Sequence, residues 1–295
     1  MRVLVVGGTS FIGPWVVRGL CEAGCEVTVF HRGGHKAQLP ARAREILHHS
    51  AGMPIVNFPL EVLRTDPEIV VHMIAMGEAD ARAAVEAFSG LTQRFVVLSS
   101  GDVYRAYGRF TGVEPGPIEQ GLLHESSPLR ETRFPYRAQA KSTDELSYYY
   151  EKILAEEEFM RRSKTPATVL RLPKVYGPGG NSDLRTVYGY RHHPNWRWTH
   201  GYVENVAAAI VLAVLNPAAA GRVYNVGEQH TPTVAERLAG LPDSNIEVSE
   251  DGKYNFAQDM AYDTGRIRRE LGYGEAVSVE EGVRRTLLHL GHRQR

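Results

Sequence analysis

The chain of 295 residues has an ordinary composition, with 43% hydrophobic and 23% charged residues, which is typical of a soluble globular protein. Its formal net charge is zero, so the broad basic surface of a nucleic-acid-binding protein is not favoured. Two cysteines, Cys21 and Cys25, are too few for a disulfide framework. The apolar runs are too short to cross a bilayer, and glycines interrupt the first one before a signal peptide is complete. We therefore expect a cytoplasmic protein with no membrane partner.

The first half of the sequence alternates apolar runs with helical patterns. The predicted strands are Arg2–Val6, Glu26–Phe30, Pro54–Phe58, Glu68–Ala75, Arg94–Ser99 and Ala167–Leu172. The main predicted helices are Trp15–Ala23, Ala81–Phe88 and Glu145–Arg162. Continuous apolar strands separated by helices are typical of a parallel sheet that is covered on both faces. The pattern therefore predicts an α/β fold with a Rossmann-type, doubly wound parallel sheet.

The composition changes after Pro173. Residues 177–200 are rich in Gly, Pro, Asn, His, Arg and aromatic residues, and a helix at Glu204–Leu215 and a strand at Val223–Val226 follow. We assign residues 1–176 to a Rossmann domain to which residues 202–226 return, and residues 177–201 and 227–295 to a small interleaved C-terminal domain that binds substrate.

A glycine-rich turn, "GGTSFIG" at residues 7–13, joins the first predicted strand to the first helix. Backbone at such a turn can approach a pyrophosphate, and the following helix directs its positive dipole end at that charge. The turn therefore predicts a dinucleotide site, and the alternative is a tight turn without a ligand. The predicted contacts are Gly7, Thr9, Ser10, Phe11, Ile12 and Gly13.

The end of the second strand indicates which dinucleotide is preferred. An acid there binds the ribose 2′-hydroxyl of NAD, whereas a nearby arginine suits the 2′-phosphate of NADP. This chain has His31 at the acidic position, followed by Arg32, with no Asp or Glu nearby in the sequence. The pattern favours NADP over NAD, and the alternative is a solvated Arg32.

Three polar side chains predict catalysis. Tyr148 and Lys152 are four residues apart, which places them on one face of the predicted helix. A nearby ammonium favours the phenolate, so the tyrosine can take a hydroxyl proton while hydride leaves the same carbon. Ser100 follows the fifth strand, and ligands sit beyond the carboxyl ends of parallel strands. The alternative is a surface tyrosine, a solvated lysine and a serine that ends a strand.

Eight short motifs occur in one order along nearly the whole chain. They are "GGTSFIG", "VVHMIA", "LSSGDVY", "YYYEK", "RLPKVYGPGG", "GYVENVAAAI", "YNVG" and "DTGRIRRELGY". In this combination the chain resembles the extended and atypical short-chain dehydrogenase/reductases, the NAD(P)-dependent sugar epimerase/dehydratase family. The resemblance implies an oxidoreductase or epimerase that acts on a secondary alcohol or ketone, such as that of a sugar or sugar derivative. It also implies a homodimer.

The resemblance implies roles for individual residues. Ala75 would lie along the ribose next to the nicotinamide, and Lys152 would orient that ribose and lower the pKa of the catalytic Tyr148. Ser100 occupies the position of the catalytic serine or threonine. The residues expected to bind substrate are Asp102, Lys174 and Arg197, of which Arg197 lies close to a family arginine that binds the substrate diphosphate.

The chain also departs from the family pattern. Ser10 replaces the middle glycine of the turn, and Gly101-Asp102 replaces the acidic pair of the dehydratases. The interval between residues 180 and 200 is shorter than the insert that holds a nucleotide base in typical members. A non-catalytic, nucleotide-sensing or RNA-associated module on the same fold is the alternative function. The complete Ser-Tyr-Lys set and the zero net charge argue against it, and they favour a small-molecule substrate without a nucleic-acid partner.

Two histidine pairs, His48-His49 and His192-His193, lack an accompanying cluster of carboxylates or cysteines. Such a cluster is needed to complete a metal site. We therefore predict no metal.

Overall fold

The computed structural model describes residues 1–49, 52–248 and 254–293. The chain divides into two compact units, each built from three segments. Unit 1 comprises Met1–Ser100, Arg133–Arg171 and Ala207–Tyr224, and unit 2 comprises Gly101–Thr132, Leu172–Val206 and Asn225–Arg295.

Most strands of the central sheet coincide with apolar runs of the sequence. They are β1 (Arg2–Val6), β2 (Glu26–His31), β3 (Arg44–Leu47), β4 (Ile69–His72), β5 (Arg94–Ser100), β6 (Ala167–Leu172), β7 (Lys174–Tyr176), β8 (His200–Tyr202) and β9 (Val223–Asn225). Seven of them form one sheet in the order β3-β2-β1-β4-β5-β6-β9. Strand β1 pairs in parallel with β2 and β4, and the pairs β2–β3 and β4–β5 are also parallel.

The helices are mostly short. They are α1 (Gly13–Glu22), α2 (Leu60–Leu63), α3 (Glu78–Phe88), α4 (Arg105–Thr111), α5 (Leu146–Tyr149), α6 (Lys152–Glu157), α7 (Arg185–Tyr188), α8 (Val203–Leu215), α9 (Val234–Leu238), α10 (Gly265–Leu271) and α11 (Val279–Arg293). Within the described ranges, no helix combines the length and the apolar character needed to cross a bilayer.

Unit 1 has helices on both faces of its sheet. On one face α1 meets the part of α8 that belongs to this unit, where Gly19 lies against Val211. On the other face α3 and α6 pack together over a core that includes Phe30, Phe88 and Phe95. Both faces are covered, which explains why the central strands are apolar without alternation. The predicted Rossmann-type, doubly wound sheet is confirmed.

The third strand was predicted at the wrong place. The edge strand is β3, in which only Ile46 is buried, so its sequence carries no apolar run. The predicted segment, Pro54–Phe58, is not a strand. Ile55 and Phe58 of this segment pack in the core instead, where the Phe58 ring lies 5.8 Å from Phe30 and 5.0 Å from Phe88.

The long helix predicted at residues 145–162 is interrupted. Helix α5 ends at Tyr149, Tyr150 and Glu151 are extended, and α6 begins at Lys152 and continues into a π-helical turn. The Glu151 N–H donates to the carbonyl of Met76 (2.9 Å), and its carboxylate accepts the N–H groups of Phe134 (2.6 Å) and Ile153 (3.1 Å). These bonds replace helical ones, so tertiary contacts override the local preference for a helix.

Residues 101–132 belong to unit 2, although the sequence analysis placed them in the Rossmann domain. Their backbone bonds to other parts of unit 2 explain this. The Leu123 N–H donates to the carbonyl of Ala261 (2.8 Å), and the Glu119 N–H donates to Oε1 of Gln258 (2.7 Å).

Unit 2 has a small parallel sheet, β7–β8, and an aromatic core. The Phe110 ring stacks between Trp196 (4.8 Å between centroids) and Tyr254 (4.9 Å). These rings belong to three separate stretches of the sequence, so their packing joins the parts of this unit.

Candidate active site

The glycine-rich turn places backbone where a side chain cannot fit. Gly7 and Gly8 have φ angles of +94° and +89°, in the left-handed region that favours glycine. A Cβ on Gly13 would lie 2.3 Å from the carbonyl carbon of Gly8. The Gly7 N–H donates to the carbonyl of Phe30 (2.9 Å), which holds the turn at the end of β2. This close approach of backbone at the start of α1 fits a dinucleotide pyrophosphate.

A carboxylate from a neighbouring strand lies next to the end of β2, although the two are far apart in the sequence. The Gly33 N–H donates to Nδ1 of His31 (3.2 Å), so Nε2 bears the ring hydrogen and donates to Oε2 of Glu45 (3.0 Å). Glu45 lies on the neighbouring strand β3. The sequence shows no acid close to His31 along the chain, but in the folded protein the Glu45 carboxylate contacts the His31 ring. Arg32, the next residue, is exposed.

Lys152 is buried at the carboxyl ends of the central strands. Its Nζ donates to the carbonyl of Ala75, just beyond β4 (2.7 Å), and to the carbonyl of Leu98 on β5 (3.0 Å). The structure thus brings together Ala75 and Lys152, which the sequence analysis placed along the same ribose. The ammonium has a fixed position at the edge of the sheet where ligands bind in open α/β folds.

Tyr148 and Lys152 belong to separate helices, so the prediction that they share one helical face is wrong. Tyr148 contacts Arg137, whose Nε donates to the Tyr148 carbonyl (2.8 Å) and whose guanidinium lies 4.7 Å from the centre of the Tyr148 ring. Tyr150 presents its ring to Lys152, with 5.8 Å between the ring centre and Nζ. The catalytic role of Tyr148 stays a prediction.

A buried ionic network lies one helical turn beyond Lys152. Glu156 accepts hydrogen bonds from Oγ of Ser99 (2.5 Å) and from Nε (3.0 Å) and Nη2 (2.7 Å) of Arg171. The network ties α6 to β5 and β6. Ser100, the predicted catalytic serine, follows Ser99 on β5, lies on the opposite face of the strand and is partly exposed. Sequence reasoning missed Glu156, although its spacing of four from Lys152 places both on one face of α6.

His72, the last residue of β4, is a second group that sequence reasoning missed. Its side chain is fully buried, and neither ring nitrogen has a hydrogen-bond partner. Burial, with a smaller contribution from the Lys152 ammonium, lowers the pKa of His72 from 6.5 to about 3. The imidazole is therefore neutral beside the buried cation.

Unit 2 holds the three residues predicted to bind substrate. Burial lowers the pKa of Lys174, and its Nζ lies 5.5 Å from the centre of the Trp198 ring. Asp102 is buried, and its backbone carbonyl accepts a hydrogen bond from Nε of Arg130. Arg197 is exposed, and its N–H donates to Oδ1 of Asp259 (3.0 Å).

The missing first acid of the dehydratase pair has a structural reason. A Cβ on Gly101 would lie 1.4 Å from the hydroxyl oxygen of Tyr262. The Tyr262 side chain therefore fills the space that an acidic residue at position 101 would need. In the part of the chain that the structure describes, no group of three His, Cys, Asp or Glu side chains could hold a metal ion.

Comparisons with known proteins agree with this architecture. The family model described as "NAD dependent epimerase/dehydratase family" matches residues 3–227, well over half of the chain. Tetraketide alpha-pyrone reductase 2 of Arabidopsis thaliana is 24% identical, with 94% of each chain covered. The chloroplast stem-loop binding protein of 41 kDa b of the same organism is 22% identical, with 96% of this chain and 77% of that protein covered.

A solved structure shows the same fold. The UDP-glucuronic acid 4-epimerase from Bacillus cereus, in complex with UDP-glucuronic acid and NAD, superposes with a TM-score of 0.70 at 17% identity and covers 99% of this chain and 100% of its own. The family match, the Rossmann-type sheet and the glycine-rich turn lead to one conclusion: the chain belongs to the NAD-dependent epimerase/dehydratase family.

Proposed function

We propose that the protein is an NAD(P)-dependent oxidoreductase or epimerase that acts on a secondary alcohol or its ketone. The observation that carries this proposal is the position of Lys152, whose buried ammonium is fixed against the carbonyl of Ala75 (2.7 Å). A cation there can orient a ribose hydroxyl and support proton transfer next to it. When bound, the dinucleotide supplies the hydride donor or acceptor.

The residues proposed to hold the dinucleotide follow the carboxyl edge of the sheet. They are Gly7, Thr9, Ser10, Phe11, Ile12, Gly13, His31, Arg32, Ala75 and Lys152. The glycine-rich turn would bind the pyrophosphate, because its backbone is free of Cβ atoms at the start of α1. Arg32 would favour NADP, whereas the carboxylate of Glu45 near His31 supports NAD.

The proton transfer is assigned to three side chains of unit 1. Tyr148 moves the proton to or from the substrate oxygen, and Ser100 hydrogen-bonds that oxygen. Lys152 favours the phenolate through its positive charge.

The substrate is proposed to be an anionic small molecule, with a sugar nucleotide as the first class to test. Lys174 and Arg197 of unit 2 supply positive charge, and Asp102 supplies a polar group for hydroxyl recognition. A similar structure holds UDP-glucuronic acid, which is such an anion.

The test is a panel of UDP- and dTDP-hexoses and of small ketones, with NAD(H) and NADP(H). Nicotinamide absorbance reports net oxidation or reduction, and chromatography reports a new epimer. Tyr148→Phe should lower turnover by at least about a hundredfold and leave dinucleotide affinity within twofold. Tyr150→Phe is the matched control, because it removes the hydroxyl of the tyrosine whose ring centre lies 5.8 Å from Nζ of Lys152. Loss of turnover in Tyr150→Phe with full turnover in Tyr148→Phe would reject the role of Tyr148.

An RNA-associated, non-catalytic module is the second candidate, because a similar protein is named as a stem-loop binding protein. A mobility-shift titration with a stem-loop RNA at two salt concentrations tests it, since phosphate contacts make affinity depend strongly on salt. This candidate would be favoured if the protein binds the RNA in a salt-sensitive manner and turns over none of the substrates in the panel. Sedimentation of the same preparation tests the homodimer that the resemblance implies.

A further inference from the structure

We infer that Glu45, which His31 holds at the end of β2, is a specificity-determining residue that disfavours a 2′-phosphate on the bound dinucleotide. The inference rests on the proposed function, because it concerns the same dinucleotide site. Glu45 lies on β3, outside the glycine-rich motif and outside β2, so the inference adds a new residue to the proposed dinucleotide site.

The register of the sheet places Glu45 on the correct face. Glu45 pairs with Val29, and paired residues of adjacent parallel strands project to the same side of a sheet. A Cβ on Gly8 would lie 3.4 Å from Cγ1 of Val29, so this side is the one on which the glycine-rich turn sits. The Glu45 carboxylate therefore lies on the face of the sheet that carries the turn, and its contact with His31 places it near the end of β2.

The hydrogen bonds at His31 leave the carboxylate as the available group. Both imidazole nitrogens are engaged, Nδ1 by the Gly33 N–H (3.2 Å) and Nε2 by Glu45 (3.0 Å). The Glu45 side chain is 49% exposed, and in the described parts of the chain its hydrogen bond to His31 uses only Oε2. Oε1 can therefore accept a hydrogen bond from a ribose 2′-hydroxyl, whereas a 2′-phosphate would meet a like charge.

Arg32 opposes this preference. It follows His31 directly, is exposed, and forms no ion pair with any residue in the described ranges. A guanidinium there attracts a 2′-phosphate. Two opposite charges therefore set the ratio of the affinities for NADH and NADPH. Glu45 lies on β3, and Arg32 directly follows β2.

The test is a nicotinamide-fluorescence titration of NADH and NADPH with four proteins: wild type, Glu45→Gln, Arg32→Gln and Glu26→Gln. Glutamine keeps the shape of Glu45 and can still accept the hydrogen bond from His31, so the change removes mainly the charge. Glu26→Gln is the matched control, because Glu26 is exposed at the opposite end of β2.

Glu45→Gln should improve the affinity for NADPH relative to NADH by about fivefold, as expected for removing one nearby like charge. Arg32→Gln should change the ratio in the opposite direction, and Glu26→Gln should leave it within twofold. The Glu45→Gln effect should shrink as salt is raised, because the groups are partly exposed.

An unchanged ratio in Glu45→Gln, alongside clear binding of a dinucleotide by the wild type, overturns the inference and leaves the proposed function standing. A wild-type protein that binds neither dinucleotide overturns both. A change in the ratio that is equal in Glu45→Gln and Glu26→Gln also overturns the inference, since it would show a diffuse effect of net charge.

Discussion

The ammonium of Lys152 and the carbonyl oxygen of Ala75 lie 2.7 Å apart although 77 residues separate them in the chain. A second bond from the same ammonium to the carbonyl of Leu98 (3.0 Å) holds the start of α6 against β4 and β5. The charge that would orient the ribose is thus also a structural link between helix and sheet.

Lys152→Met should therefore reduce stability as well as function. The variant leaves two buried carbonyl groups without this donor, and each such loss costs about 1–3 kcal/mol. Urea unfolding followed by circular dichroism measures the change. Lys164→Met, at an exposed position, is the control and should unfold like the wild type. Equal stability of both variants and the wild type would contradict the structural part of the account.

Arg171→Met should be severely destabilising. Removal of the guanidinium leaves the Glu156 carboxylate buried and unpaired, which typically costs about 3–5 kcal/mol. The same urea experiment measures it, with Arg284→Met as the control, because Arg284 pairs with Glu281 at an exposed site. If both arginine variants behave alike, the buried network does not contribute as described.

His72 should make the protein sensitive to acid. Its pKa in the folded state is about 3, below the unperturbed 6.5, so the unfolded chain binds the additional proton first. Above pH 6.5, His72 is neutral in both states and does not reduce the free energy of unfolding. As the pH falls from 6.5 toward 3, the free energy of unfolding decreases by about 1.4 kcal/mol per pH unit.

The measurement for His72 is urea unfolding of the wild type and His72→Leu at pH 7 and pH 5. The wild type should lose about 2 kcal/mol more than the variant between these values. Burial also lowers the pKa of His200, but that residue is present in both proteins and its effect cancels in the difference. An equal loss in both proteins would mean that His72 is not held neutral by the fold.

Gly13→Ala should abolish dinucleotide binding, because its Cβ would lie 2.3 Å from Gly8 backbone and would force the turn to open. Gly274→Ala is the control, since a Cβ there would meet no atom within 4 Å. Calorimetric titration with NADH and NADPH compares the two variants. Full binding by Gly13→Ala would show that the turn does not hold the ligand.

Much of the fold follows from local apolar runs. Strands β1 and β6 were predicted with the bounds that the structure gives, because both are mostly apolar segments that are buried along most of their length. Strand β3 was missed because an edge strand with one buried side chain, Ile46, leaves almost no apolar pattern. Its Glu45 was missed with it, so the NADP prediction was made without the carboxylate that His31 contacts.

The break before Lys152 could not be predicted from the local pattern. The residues around Glu151 fit a helix, and the interruption depends on hydrogen bonds to Met76 and Phe134, which are distant in the sequence. The buried partners of Lys152 were likewise invisible, since backbone carbonyls carry no sequence signal. The residue types of the candidate site could be named from the sequence, but their mutual geometry could not.

Dinucleotide binding is tested most simply by titrating the purified protein with NADH and NADPH and following nicotinamide fluorescence. We expect saturable binding of at least one of them, with one site per chain. If neither dinucleotide binds, the glycine-rich turn and Lys152 have only structural roles, and the proposed function is wrong.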